Sequence, residues 1–369
     1  MRKHRAIGVI LAALILATAI LVTLTRPTPP PPSPVPEPSP RTMASPDPEQ
    51  AAISTAPPPG GDHRRVDVAI HSALEAMNRE LDRAAMERFL DSRNRGPGSL
   101  LAAWELTQDI RYLREAAASH PDVPAVQLAM VLHPDTSAEE RRTWLEKLGT
   151  SDPHNAFPDM LAAADAFAAG NTQAAIDLIQ TAAEKSALDH FGRNMILERE
   201  DLLRSLGFDP LSASLRAFLS PNTAFQISHR LHPMIRGFAA AMEQQTKSGN
   251  RESAEETISA GLSLFRRLQD PETAHYIITN MMGMAGESAL LNHLPPDQVI
   301  PGDIVTVAER QKELQGYREE FRRLLPLSTQ LNFMEPEFIE TYVERAKSFG
   351  EIEAMRWAEP ILESRKPGE

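Results

Sequence analysis

The segment that most limits what this chain can fold into is the uncharged apolar run of residues 6–25, which follows Arg2, Lys3, His4 and Arg5. As a helix, about 20 such residues rise roughly 30 Å, the thickness of a hydrocarbon core. Lipid offers the backbone no partner but its own helix, so the run is expected to form one transmembrane helix. Positive charge is in excess before it and only Arg26 stands directly after it. That asymmetry predicts a cytoplasmic N-terminus (residues 1–5) and an exported C-terminal part. A second reading stays open. Ala17-Thr-Ala19 fits a small-x-small cleavage site, so the segment can also be read as a signal peptide cut after Ala19. Both readings export everything that follows.

Residues 26–61 hold nearly half of the chain's 31 prolines. The first part reads as a polyproline II spacer and the remainder as disordered tether, with little to bury. Residues 62–369 form the exported domain, long enough for a large core. The chain has no Cys, which excludes disulfides, thiol chemistry and lipoprotein acylation. Asn-x-Ser/Thr is also absent. These traits suit a bacterial inner-membrane protein with a periplasmic domain. The net charge of −12 and the lack of a basic stripe interleaved with aromatics argue against nucleic-acid binding.

Periodicity in the exported domain is helical, predicting an all-α fold. Val66, Ile70, Ala73, Leu74, Met77 and Leu81 mark one face of a long first helix, which Gly96-Pro97-Gly98 is expected to end. Leu100 to Ala117 reads as a second helix and Ala125 to Leu132 as a short one. Ser137 starts another that carries Trp144 and Leu148. The β-like stretch Val299 to Val307 is split by Pro301-Gly302. It reads as a loop feeding a helix over about Val305 to Leu325, with two more helices over Pro336 to Phe349 and Glu351 to Arg365.

Short loops between these helices predict antiparallel hairpins in an α-solenoid array. Within residues 156–188 a helix with Met160, Ala163, Ala164 and Phe167 leads through Ala169-Gly-Asn171 to one with Ala175, Ile176, Ile179, Ala182 and Ala183. Residues 235–268 repeat the plan. Phe238, Ala241 and Met242 precede Ser248-Gly-Asn250, and Ala254, Ile258 and Gly261 follow it. The two Gly-Asn turns and the small residues after them align without a gap. On Ala163, Gly170, Asn171, Ala175, Ile179 and Ala182, and on Gly249, Asn250, Ala254, Ile258 and Gly261, the chain resembles tetratricopeptide repeats. The match covers these two segments. Asp159 stands where the family places an aromatic, and the family's closing proline is missing from both.

The resemblance implies a non-catalytic scaffold or adaptor that takes a protein or peptide partner in a groove lined by the first helix of each pair. Phe157, Met160, Ala164 and Phe167 would line it in one copy, and Arg236, Ala239, Glu243 and Lys247 in the other. Read without the resemblance, Phe157, Met160 and Phe167 are core, and Arg236, Glu243 and Lys247 are a solvated face.

Catalytic signatures are scarce. His229 and His232 stand at i, i+3, a spacing able to share a metal, with Pro233 directly after. Glu272-Thr-Ala-His275 matches one element of a di-iron bundle, but no second copy accompanies it. No zinc-protease, nucleophile-elbow, phosphate-loop or dinucleotide motif occurs, so no cofactor and no metal are expected. The alternative function is an envelope hydrolase acting on glycan or peptide, with a carboxylate acid/base pair brought together by the fold. Met281, Met282 and Met284, with Gly283 and Gly286, read as a tightly packed core helix or an adaptable binding face.

Overall fold

Helix starts are written into the chain at its caps and prolines. In the computed structural model the described residues are 79–364, apart from 221, 250, 271–272, 274–275 and 332–333. Asp82 accepts from the amides of Ala84 and Ala85 and opens α1 (Arg83–Ser92). Pro97 occupies the first turn of α2 (Pro97–Thr107), where its missing N–H costs nothing. Asp109 caps α3 (Ile110–Ser119), Pro124 opens α4 (Pro124–Leu132) and Ser137 caps α5 (Ala138–Ser151). The hairpin α6 (Phe157–Ala168) and α7 (Thr172–Glu184) follows, then α8 (Gly192–Ser205) and α9 (Pro210–Phe218). The long pair α10 (Asn222–Lys247) and α11 (Arg251–Arg267) precedes α12 (Ile277–Leu291). A capping box between Thr306 and Glu309 starts α13 (Val307–Leu324). A single turn, α14 (Leu327–Gln330), leads to α15 (Pro336–Phe349) and α16 (Glu351–Ser364).

The fold is all-α. Among the described residues β-pairing is limited to two isolated bridges, Asn155 with Ala187 and Val299 with Thr306. The second closes the loop ahead of α13, where Ile300 N–H donates to Val305 O and Val307 N–H to Gln298 O.

Neighbours in sequence pack from α2 through α7, each on the next. The chain then departs from serial stacking. The α8–α9 hairpin turns back onto α1 and α2, while α9 meets α15. After that excursion α10 lies on α6 and α11 on α7, so the two hairpins pack first helix on first and second on second. Their turns share one backbone conformation, with Gly170 at φ 77° and Gly249 at φ 78°. At the first turn Asn171 N–H bonds Ala166 O and Gly170 N–H bonds Phe167 O, which satisfies carbonyls that the helix end leaves open. Glycine also sets the close approaches. A Cβ at Gly237 would lie 2.7 Å from the Phe167 ring, and one at Gly283 2.6 Å from Phe265 O. The Met-rich α12 is core: Met281, Met282 and Met284 are all buried.

Two sequence expectations are corrected. Leu81 precedes the first described helix, because the Asp82 cap starts the helix one residue later, at Arg83, and Gly96-Pro97 opens α2 instead of closing α1. The second helix is two, because Gln108 takes a left-handed φ of 59° and Asp109 then caps a new start. Pro233 lies inside α10, which continues through it. Residues 6–25, residues 26–61, the first helix as far as residue 78, and Glu272 with His275 lie outside the described residues. Among the described residues no helix is long and apolar enough to cross a membrane.

Candidate functional site: a polar cleft between α8, α11 and the C-terminal hairpin

The groove residues expected from the sequence separate into two groups. Phe157 and Met160 have no exposure and belong to the core, so they are corrected from partner-binding to packing positions. Phe167 is wedged between α6 and α10, its ring 6.3 Å from that of Phe238. Arg236, Glu243 and Lys247 are exposed on α10, and Lys247 Nζ pairs with Glu243 Oε1 at 2.5 Å along that helix. That pair is solvated and of little energetic weight. His229 is exposed and His232 half-buried on the same helix. Among the described residues no group of three or more possible metal ligands is found.

The structure brings other residues together. A cavity of about 1060 Å³ opens between the 186–194 loop, the end of α11 and the end of α15. A smaller one of about 300 Å³ continues from it toward α12 and α13, and Asp270, Phe349 and Glu353 line both. Phe349 is 53% exposed, a large apolar ring at the mouth of the cleft.

The loop forming one wall is held from two sides. Asn155, 1% exposed, accepts at Oδ1 from the amides of Phe157 and Asp189, and its Nδ2 donates to Asp189 O. His190 Nδ1 accepts from Gly192 N–H at 3.2 Å, which leaves Nε2–H to donate to Thr273 O at 2.9 Å. Those two bonds define one neutral tautomer, and burial pushes the His190 pKa down to match. The Phe157 ring stands edge-on behind it at 6.2 Å. Phe191, between the clamps, adopts φ 58°, a conformation that costs a non-glycine residue about 1 kcal/mol or more. It starts α8 without a side-chain cap.

The charges in the cleft are unequally partnered. Glu353 is engaged by Arg356, Asp189 Oδ1 accepts from Phe191 N–H, and Asp270 has its own partner. In the smaller cavity Arg266 and Arg310 both donate to Glu287 Oε1, at 2.7 and 2.9 Å, and Gln269 donates to Oε2. Glu287 has no exposure. Burial raises its carboxyl, but these hydrogen bonds outweigh burial and hold it below the usual range. Arg267 differs. Its Nη1 and Nη2 donate only to the carbonyls of Lys185 and Ala182, at the end of α7. Arg345 lies over the rings of Phe349 and Trp357, at 5.3 and 5.4 Å. Arg267 Nε and Arg345 Nε are both buried with no acceptor among the described residues. Arg193, on the first turn of α8, is exposed to the same cavity.

Two further buried ion pairs fasten α8. Arg199 donates to Glu105 on α2, to Tyr276 Oη at 3.1 Å and to Ala217 O at 2.9 Å. Lys347 on α15 reaches Glu200 Oε2 at 2.6 Å and Ser214 Oγ at 3.1 Å. Sequence reasoning missed these residues and the cleft, because their partners come from distant segments.

No protein-family model matches this chain, and no curated protein and no solved structure matches it.

Proposed function

We propose that the chain is a single-pass protein of the bacterial inner membrane whose exported all-α domain is a non-catalytic adaptor. It holds a segment of an envelope protein in the cleft between α8, α11, α15 and α16. The observation that carries this reading is the cleft itself: open, mouthed by the exposed Phe349 ring, and lined by carboxylates that already have partners. The α6–α7 and α10–α11 hairpins are read as repeats of tetratricopeptide type. Their matching glycine turns and first-on-first packing support that assignment. They act as the frame, since α11 brings Arg267 to the cleft and the end of α7 holds it through the carbonyls of Ala182 and Lys185.

A hydrolase would bring two carboxyls together in a cleft, one of them raised. Burial raises Glu198 and Glu351, yet neither lines these cavities, and Glu351 Oε2 is turned to Ile277 N–H at 3.0 Å. The adaptor reading is therefore preferred.

The test is site-specific photo-crosslinking of the full-length protein in its native cells. The crosslinker is placed at Ser348 on the cleft or at Lys247 on α10. Capture of one dominant envelope protein from Ser348 and not from Lys247 is expected. Capture from Lys247 alone would move the binding surface to α10. No protein product from either position would remove the adaptor reading.

A further inference from the structure

We infer that the occupant of the cleft is an acidic peptide segment, its carboxylates received by Arg193, Arg267 and Arg345. This rests on the adaptor reading and names the chemistry of its partner. Arginine stays charged at every accessible pH, so a buried guanidinium needs either a counter-charge or a full set of acceptors. Five other arginines of this molecule have the former. Arg199 meets Glu105, Arg266 and Arg310 meet Glu287, Arg356 meets Glu320, and Arg141 meets Asp165. Arg267 and Arg345, half-buried on the walls of one cavity, do not. Each keeps a buried Nε–H without an acceptor, and neither pairs with a carboxylate among the described residues. Carbonyls from the end of α7 give Arg267 partial charge only. A buried donor left unmade costs more than a made bond returns, so the arrangement favours an incoming acceptor.

In the same cavity Asp189 accepts from Phe191 N–H, Glu353 pairs with Arg356 and Asp270 has a partner of its own, and no acceptor among the described residues reaches the Nε–H of Arg267 or Arg345. Guanidinium is matched in shape to carboxylate, which it can bind through two parallel N–H bonds. The cavity's volume of about 1060 Å³ admits several residues of peptide, more than one small anion would fill. The exposed Phe349 ring offers apolar contact to the peptide's neighbouring side chains. The chain as a whole carries −12, and in this cavity the three arginines balance Asp189, Asp270 and Glu353, so the selection of an acidic segment rests on the two unmet guanidinium donors and not on net charge.

The experiment uses the full-length protein in detergent micelles and fluorescein-labelled hexaglutamate, followed by anisotropy. Hexaserine and hexalysine serve as comparison peptides and inorganic phosphate as competitor. Hexaglutamate is expected to bind in preference to both, with affinity falling as salt is raised. Arg345→Gln and Arg193→Gln should each weaken it by about tenfold, since hydrogen bonds to charged groups are the stronger ones, while helical circular dichroism stays unchanged. Arg267→Gln should weaken it at least as much. Because Arg267 also holds the end of α7, the other two variants decide the outcome. Equal binding of hexaserine, or unchanged affinity in Arg345→Gln and Arg193→Gln, would overturn the inference. Displacement of hexaglutamate by phosphate, where an equal ionic strength of chloride has no effect, would reassign the cavity to a small anion and also overturn it. A partner captured from Ser348 through a segment without acidic residues would end this inference and leave the adaptor standing. No capture from Ser348 would strike the adaptor reading first.

Discussion

Gly261 and Gly316 both sit inside helices, α11 and α13, yet alanine should act on them with opposite signs. Alanine is favoured over glycine in a helix interior by about 1 kcal/mol. At Gly316 a new Cβ would meet nothing within 4 Å, so only that gain remains. At Gly261 a Cβ would lie 2.6 Å from Leu290 Cδ1 and 2.8 Å from Phe238 Cζ, and closer still to Phe238 Cε1. Phe238 has no exposure and Leu290 only 1%, so neither can swing into solvent. Overpacking of this kind costs about 1–3 kcal/mol. Taking the upper end and subtracting the helix gain leaves Gly261→Ala destabilised by about 2 kcal/mol. For a domain of this size that is a fall of about 4–8 °C in Tm, against a rise of about 2–4 °C for Gly316→Ala. Thermal scans followed at 222 nm read both directly. Adding Phe238→Leu to Gly261→Ala should recover part of the loss. If Gly261→Ala raises Tm as Gly316→Ala does, the close packing of α10, α11 and α12 at that point is refuted.

Two other perturbations test the buried charges. Glu105→Ala strands the Arg199 guanidinium inside the fold and should cost about 3–5 kcal/mol; Glu105→Leu combined with Arg199→Met should recover most of it, and a double variant no more stable than Glu105→Ala would contradict the pairing. Burial raises the Glu351 carboxyl above its unfolded value, so its protonated form favours folding and that advantage fades as pH rises through the folded-state pKa. Glu351→Gln, still able to accept from Ile277 N–H, should therefore raise Tm at pH 7 more than at pH 4; an equal change at both values would show that the carboxyl is not perturbed.

The helical class was legible because local signals agree with one another. Ser137, Thr306 with Glu309, and the prolines at helix starts announce their boundaries in a few residues. The turns at Gly170 and Gly249 are legible for the same reason, since left-handed φ selects glycine. Gln108 and Phe191 adopt left-handed φ without being glycine, and no local pattern marks them. The α8 segment is rich in charge, and nothing nearby in the chain marks Arg199 and Glu200 as buried, because their partners stand 94 and 147 residues away. The cleft was illegible on the same ground. Arg267 and Arg345 look like any solvated arginine until α7, Phe349 and Trp357 are placed around them. Phe157 and Met160 admit two readings from the sequence, and only burial decides for core.

The long reach of α8 carries a consequence in time. At an elongation rate of about 5–20 residues per second, the chain that completes the Lys347–Glu200 pair arrives roughly 7–30 s after α8 itself. Throughout that interval α8 can engage α1 and α2 but not α15, and α9 also lacks its C-terminal neighbour. The α15–α16 hairpin thus acts as a latch that closes well after α8 is made. Until residue 347 is made, the Lys347–Glu200 pair that fastens α15 to α8 cannot form.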